Sequence, residues 1–326
     1  MFGWGNNKDK LDASQDPNWE RDLLQRLSMA ALHEQRRARR WGIFFKLLIF
    51  SYLFLLLFMG LKGQELSKAQ RVHSLTAVVD IHGLIADSTR TNADTVLEGV
   101  RSAFADARTR GIILRINSPG GSPVQSDYIF REIRRLSEQH PDIPVHAVIG
   151  DIGASGAYYI AAAAENIYVN PSSIVGSIGV LMNSFGFVDT LDKLGVERRL
   201  MTAGENKGIL DPFLPMPEQQ RAHLQGLLDG IHAEFIEAVR SGRGDRLADD
   251  PTIFSGLFWG GRESIELGLA DGIGDVDFVA REVIGEENVV DFTPQPDLFR
   301  RFAERFGSAM ATVFAQQIGL GQPNWR

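Results

Sequence analysis

Residues 150–164 read GDIGASGAYYIAAAA. The β-prone run 145–149 leads into small residues, and an Ala-rich helical segment leaves them. Ser155 lies in this turn between Gly and Ala residues, so no bulky neighbour screens its hydroxyl. A serine where a strand gives way to a helix has backbone amides and a positive helix terminus nearby, which suits a developing oxyanion. The alternative is that Ser155 is only an N-cap and the small residues allow close helix packing.

Alternating strand and helix patterns extend outward from this turn. Apolar, β-branched runs predict strands, and apolar residues at helical spacing predict the helices between them. Such alternation is typical of a parallel sheet with right-handed crossovers. The predicted strands are 76–81, 111–116 and 145–149, with further β-prone runs at 167–169, 174–182 and 197–202. The predicted helices are 94–108, 123–139, 218–239 and 278–284.

A second glycine-rich turn, Gly120-Gly121, follows the strand predicted at 111–116. Ligands of open parallel sheets bind at the carboxyl ends of the strands. Glycine can adopt positive φ, so this turn can present its amides outward. We therefore expect the amides of Gly121 and Gly156 to converge on one substrate carbonyl. A plain strand-to-helix turn is the alternative.

Composition narrows the function classes. The chain has 326 residues, 44% of them hydrophobic, which is enough for a sizeable core. Its formal net charge of -7 gives no footprint for nucleic acid. Cysteine is absent, which excludes a thiol nucleophile, cysteine-ligated zinc and disulfides.

An apolar run at 43–61, IFFKLLIFSYLFLLLFMGL, predicts a transmembrane helix. At about 1.5 Å per residue it is about 28 Å long, which matches a bilayer core. A cleaved signal peptide is less consistent, because the run is too long and begins too far into the chain. Four arginines precede the run, and the positive-inside rule then places the N-terminus in the cytoplasm. They are Arg36, Arg37, Arg39 and Arg40.

These features divide the chain into five parts. We expect a cytoplasmic N-terminal segment (1–42), the transmembrane helix (43–61), a linker (62–74), a catalytic domain (75–290) and an amphipathic tail (291–326). The domain that follows the linker is then expected outside the cytoplasm. Aromatic residues at helical spacing in the tail suggest that it covers the core or mediates self-association.

A serine nucleophile needs a base. None of the seven histidines stands in a motif with Ser155, so a Ser-His-Asp triad has no specific support. Lys207 lies in a turn before an apolar, proline-bounded segment. To act as a base, its pKa must fall from about 10.4 to about 7–8, which burial in an apolar cleft can achieve. A solvated lysine in a glycine-containing turn is the alternative.

Together these stretches resemble the signal peptide peptidase A family of serine–lysine proteases. The matching segments are RINSPGGSP (115–123), GDIGASGAYYIAAAA (150–164), SIVGSIGV (173–180) and TAGENKGILDPF (202–213). The resemblance covers about residues 75–285. It implies an α/β domain of the Clp protease/crotonase type, with repeated β-β-α units and a parallel sheet.

The resemblance also implies roles for individual residues. Ser155 matches the nucleophile, Lys207 the general base, and the amides of Gly121 and Gly156 the oxyanion hole. Ser177 falls where a supporting serine near the lysine is found. Ser122 departs from the pattern, because many members have a third glycine there. The implied chemistry is acyl transfer to Ser155 followed by hydrolysis, with no metal and no cofactor.

The implied substrates are remnant signal peptides and other membrane-associated peptides, and the implied location is the bacterial inner membrane with the catalytic domain in the periplasm. The implied partners are the lipid bilayer and further copies of the chain, in a ring-like homo-oligomer that takes Ser155 from one subunit and Lys207 from another. Two alternatives stay open. One is a crotonase-like acyl-CoA hydratase or isomerase, and the other is a catalytically silent membrane scaffold.

Overall fold

The structure is a computed structural model that describes residues 19–69 and 73–295. The chain forms two compact units, Met1–Arg71 and Val72–Arg326. In the first unit the described residues form one helix, α1 (Trp19–Ala69). Residues 1–18 of the predicted N-terminal segment and 296–326 of the predicted tail lie outside the described residues.

The helical conformation predicted for 43–61 is present, as part of the longer α1. Within the described part of the chain, no helix combines the length and the apolar character that crossing a membrane requires. Side chains of residues 59–69 are outside the description. The transmembrane span at 43–61 therefore stays a prediction.

The second unit alternates strands and helices, as the sequence predicts. Its strands are β1 (Leu75–His82), β2 (Thr109–Ser118), β3 (Val145–Ala154), β4 (Asn166–Val169), β5 (Ile174–Gly176), β6 (Phe258–Gly260), β7 (Gly272–Ile273) and β8 (Val289–Asp291). Its helices are α2 (Ala93–Ala105), α3 (Pro123–Gln139), α4 (Gly156–Ala161), α5 (Val188–Lys193), α6 (Glu218–Arg243), α7 (Gly261–Glu266) and the short α8 (Val276–Phe278), which a π-helical turn (Val279–Ile284) continues.

The strands form one mostly parallel sheet in the order β6-β5-β3-β2-β1-β8, with β4 pairing β3 and β7. Only the β5–β6 pair is antiparallel among these strands. β1 and β2 are almost continuously buried because apolar residues cover both faces of the sheet. The larger core lies where α2, α3, α4 and α6 pack, and a smaller cluster around Val78, Ile113 and Val148 packs under Val279 and Ala280.

Two predicted strand runs differ from the structure. The run at 174–182 ends as a strand at Gly176, because Gly176 (φ 110°) and Ser177 (φ 53°) both have left-handed backbone conformations that a ladder does not tolerate. Residues 197–202 form no strand. They are exposed and no neighbouring strand pairs with them in the described sheet.

The predicted β-β-α repeat is present only in reduced form. A single helix follows each of β1, β2 and β3. Where a second strand would stand, Ile85 makes isolated bridges to Thr91 and Gly121. Pro119 and the two glycines after it prevent a longer ladder there, since proline lacks the amide donor and both glycines have positive φ.

Candidate active site

Ser155 occupies the junction between β3 and α4 in a strained conformation. Its φ of 54° and ψ of -127° are unusual for a residue with a side chain. Although Ser155 stands at the N-cap position, its hydroxyl accepts no hydrogen bond from the amides of α4. The N-cap interpretation of this side chain is therefore wrong. Within residues 19–69 and 73–295, the Ser155 hydroxyl has no hydrogen-bond partner.

The diglycine turn lies against the Ser155 turn because of strand register. Ser118 of β2 pairs with Gly153 of β3, so the two turns follow neighbouring strand ends. Gly120 has a φ of 94°, and a Cβ there would lie 2.6 Å from the amide nitrogen of Gly156 and 2.8 Å from the Cβ of Ser155. Only glycine leaves room for this approach.

The amides of Gly121 and Gly156 lie close to one another. A Cβ on Gly156 would lie 3.3 Å from the amide nitrogen of Gly121. Within the described residues, neither amide donates to a protein acceptor. Two free N–H groups beside a serine hydroxyl are what an oxyanion hole requires. That the two amides together bind one substrate oxygen stays a prediction.

Ser122, the departure from the family pattern, has a local structural role. It is the N-cap of α3, where its hydroxyl accepts from the amide of Gln125 and Pro123 follows at the first helical position. Its own amide donates to the carbonyl of Ile85 at 2.8 Å. Ser122 thus fixes the exit of the diglycine turn without using the amide of Gly121.

A cleft of about 600 Å³ opens in front of Ser155. The two glycine turns form one side of it, and α6 forms another with Leu228, Ile231 and Phe235. The ring of Phe235 stacks on Tyr159 with centroids 4.8 Å apart, and Tyr159 stands edge-on to Phe130. These buried rings make a rigid apolar floor suited to an apolar substrate side chain.

Tyr159 is anchored at the bottom of this floor. Its hydroxyl donates to Asp127 Oδ1 at 2.9 Å. Burial, together with that hydrogen bond, raises the pKa of Tyr159 above its ordinary value. The phenol therefore stays a neutral donor and holds its ring in place rather than serving as a base.

Ser177 lines the same cleft as Ser155. Strand register brings it there. Ala154, the residue before Ser155, pairs with Gly176, the residue before Ser177. The amide of Ser177 donates to the carbonyl of Leu257, which fixes its turn from the other side. The sequence analysis expected Ser177 near Lys207, but Lys207 is not among the residues that line this cleft, so the supporting role of Ser177 stays a prediction.

Lys207 is not among the residues that line the Ser155 cleft. It is exposed and lies beside a separate shallow depression with Leu200 and Phe213. A single chain therefore does not bring the predicted nucleophile and the predicted base together, and Lys207 is not buried within it. Whether Lys207 acts as the base stays a prediction.

Sequence reasoning missed the wall that α6 contributes. Gln225, Asp229 and His232 all line the cleft. Their spacing of four and then three residues places them on one helical stripe, a signal that the sequence did contain. His232 is already engaged, with its Nε2 3.1 Å from the carbonyl oxygen of Ile178. Among the described residues that line the cleft there is no lysine or arginine to hold the phosphates of coenzyme A.

Fold and site together define an α/β domain with a mostly parallel sheet, in which Ser155 lies at a strand-to-helix turn beside the amides of Gly121 and Gly156. The family model for peptidase family S49 matches residues 137–289, a range that contains Ser155 and Lys207. The chain is also 32% identical over 198 residues to a putative protease of Synechocystis sp., covering 61% of this chain and 69% of that protein. This chain belongs to peptidase family S49, which confirms the family resemblance that the sequence motifs indicated.

Other similarities are broader or more partial. A putative signal peptide peptidase SppA of Enterococcus faecium is 26% identical over 223 residues, covering 66% of this chain and 64% of that protein. A Brucella abortus protein named Na(+)/H(+) antiporter NhaA is 42% identical over 247 residues. That match covers 74% of this chain, which spans only 33% of the Brucella protein. The solved structure of a mutant of 1510-N, a membrane-bound stomatin-specific protease, is 15% identical and superposes with a TM-score of 0.38, covering 68% of this chain and 99% of that one.

Proposed function

We propose that this protein is a serine endopeptidase whose nucleophile is Ser155 and whose general base is Lys207 of a second copy of the chain. The observation that carries the proposal is the junction of the two glycine turns. A strained serine and two unengaged amides face one apolar cleft, and membership of a peptidase family fits that arrangement.

The mechanism follows from the positions of these groups. The peptide carbonyl lies over Ser155 with its oxygen between the amides of Gly121 and Gly156. Neutral Lys207 takes the proton of Ser155 as the hydroxyl oxygen attacks the carbonyl carbon. The lysine then protonates the leaving amine and later activates the water that releases the acyl group. The two amides stabilise the negative oxygen in both tetrahedral steps, while Ser177 supports the lysine.

A second copy is proposed because the arm that carries Lys207, residues 181–213, is rich in exposed apolar side chains. Leu181 is 84% exposed, Phe185 73% and Met201 96%. α5, within the same arm, has no buried residue. Exposed apolar surface of this extent is typical of a protein interface. Covering the arm with a neighbouring chain would also give Lys207 the desolvated surroundings that lower the pKa of a lysine.

The proposed substrates are remnant signal peptides and other membrane-associated peptides. The apolar floor of the cleft supports this proposal, and so does the similarity to a putative signal peptide peptidase. We further propose that the run at 43–61 anchors the protein in the bacterial inner membrane, with the catalytic domain on the periplasmic side. The apolar run and the arginines before it support the anchor and its orientation.

The test is labelling of the full-length protein with a fluorophosphonate, which reacts with activated serines. We expect the label on Ser155 in the wild-type protein. It should be absent in Ser155→Ala and strongly reduced in Lys207→Ala, while Lys193→Ala of the same arm should label normally. Undiminished labelling of Lys207→Ala would reject the lysine as the base, and unlabelled wild-type protein would reject the serine peptidase.

A further inference from the structure

The α6 wall of the Ser155 cleft carries an unpaired negative charge. Among the described residues that line the cleft, only Asp229 bears a formal charge at neutral pH. Gln225 donates to its Oδ1 at 2.7 Å, so the amide orients the carboxylate without neutralising it. No basic side chain in the described part of the chain forms an ion pair with Asp229.

The surroundings of Asp229 strengthen the electric field of its carboxylate within the cleft. Apolar residues of the same helix, Leu228 and Ile231, flank it and form part of the cleft wall. A charge beside low-dielectric walls produces a stronger local field than the same charge on an open surface. Some carboxylates of this unit are held in ion pairs, as Glu132 is with Arg101 and Arg135. Asp229 is left available to a ligand.

Its position relative to the floor defines what the cleft accepts. Phe235 lies six residues further along α6 and is 4% exposed, whereas Asp229 is exposed. The helix therefore presents an apolar stripe in the depth of the cleft and a polar stripe, Gln225, Asp229 and His232, along it. A ligand that satisfies both stripes has an apolar side chain and a cationic group a few residues away.

We propose that Asp229 forms a cation subsite that selects peptides with a lysine or arginine close to the apolar residue held by the cleft. Gln225 acts as a positioning residue for the carboxylate. This inference rests on the proposed peptidase function, since it takes the peptide to lie in the Ser155 cleft. Its test measures binding rather than cleavage, so that the two can fail separately.

The test uses the full-length Ser155→Ala protein and fluorescent apolar peptides that are identical except for one position. Lysine, glutamine or glutamate is placed at each position in turn, and affinity is measured by fluorescence anisotropy at mildly alkaline pH, where imidazoles are neutral. At one position we expect lysine to bind about threefold to tenfold more tightly than glutamine, and glutamate more weakly. The gap should narrow as salt is added.

Two substitutions of Asp229 and one control substitution, each made in the Ser155→Ala protein, show whether Asp229 causes the preference for lysine. Asp229→Asn should remove the preference for lysine while affinity for the glutamine peptide is kept, and Asp229→Lys should reverse it towards glutamate. Glu237→Gln, an exposed carboxylate of α6 outside the cleft, should change nothing. The proposal is overturned if no position favours lysine, or if the preference survives in Asp229→Asn. Cleavage of the glutamine peptide by the protein with Ser155 intact reports separately on the peptidase function.

Discussion

The backbone amide of Ser155 donates to the carbonyl of Gly176 at 2.8 Å. This bond joins the turn that carries Ser155 to the turn that carries Ser177, and it continues the pairing of β3 with β5. Both serines have positive φ, so each turn is held by its neighbour in a conformation that it would not adopt alone. The strain at Ser155 is thus maintained by the sheet.

Mixing two inactive variants should restore activity. If Ser155 and Lys207 act across an interface, Ser155→Ala and Lys207→Ala subunits complement each other when they exchange. In an equal mixture about a quarter of the interfaces pair an intact serine with an intact lysine, so about a quarter of wild-type peptidase activity is expected. Exchange is confirmed separately with fluorescently labelled subunits. No recovery in a mixture that does exchange would contradict a shared site.

Gly120→Ala should abolish most of the activity. Its Cβ would lie 2.6 Å from the Gly156 amide nitrogen, and its φ of 94° disfavours any side chain. Displacing an oxyanion donor lowers kcat by about 10²- to 10³-fold. The measurement is steady-state peptide hydrolysis, with circular dichroism to check folding. Gly260→Ala is the control, because a Cβ there meets nothing within 4 Å and Gly260 lies outside both the cleft and the arm 181–213. A fully active Gly120→Ala protein would argue against the two-amide oxyanion hole.

Asp271→Asn should strongly destabilise the domain. Arg243 is fully buried and donates to both carboxylate oxygens of Asp271, at 2.7 and 2.9 Å. Removing one partner of a buried pair costs about 3–5 kcal/mol of unfolding free energy. Urea denaturation measures the loss, and Arg281→Met, from an exposed pair with Glu282, should cost far less. If both variants lost the same unfolding free energy, the buried ion pair would stabilise the domain no more than the exposed one.

The same pair should make stability sensitive to acid. Burial acts to raise the pKa of Asp271, but the hydrogen bonds from Arg243 and from the Ile167 amide outweigh it, and the net pKa is lowered from 3.8. A depressed carboxyl pKa contributes stability above the unfolded value, and that contribution is lost as pH falls through the folded value. We therefore expect urea midpoints to fall below about pH 4 in the wild type and less steeply in Asp271→Asn. If the urea midpoints of the wild type and of Asp271→Asn fell equally with pH, Asp271 would not be the source of the acid sensitivity.

His146 should give a second pH dependence, nearer neutrality. Its ring is buried on β3, edge-on to Tyr168, and its Nδ1 has no hydrogen-bond partner among the described residues. Burial lowers the pKa of His146 from 6.5, against the raising effects of Glu165 and Asp271. The unfolded chain therefore takes up the proton first, and stability falls as pH decreases below 6.5 until it passes the folded value.

The comparison of His146→Phe with wild type isolates this effect. The phenyl ring keeps the contact with Tyr168 and carries no titratable group, so the decrease in urea midpoint between neutral and mildly acidic pH should become smaller. His223→Gln, an exposed histidine of α6, should keep the wild-type slope. If His146→Phe retains that slope as well, the buried histidine is not its cause.

The sequence alone determined the local elements of the catalytic domain. The helix predicted at 123–139 has the bounds of α3, and the strands predicted at 76–81, 111–116 and 145–149 lie within β1, β2 and β3. Apolar periodicity and β-branched content fix such elements because each reports which face of a short segment is buried. The serine turn and the diglycine turn were recognisable for the same reason, since Gly, Pro and Ser restrict the backbone locally.

Only the tertiary structure decided which of these turns meet. The pairing of Ser118 with Gly153 and of Ala154 with Gly176 depends on burial across the whole sheet, which no local pattern contains. The same holds for α6, whose stripe from Gln225 to His232 lines the cleft only because the helix packs against α3 and α4. Neither the sequence nor the structure of a single chain establishes the role of Lys207. Its motif is readable in the sequence, but one folded chain leaves it outside the Ser155 cleft, because its segment packs few side chains into that chain's core.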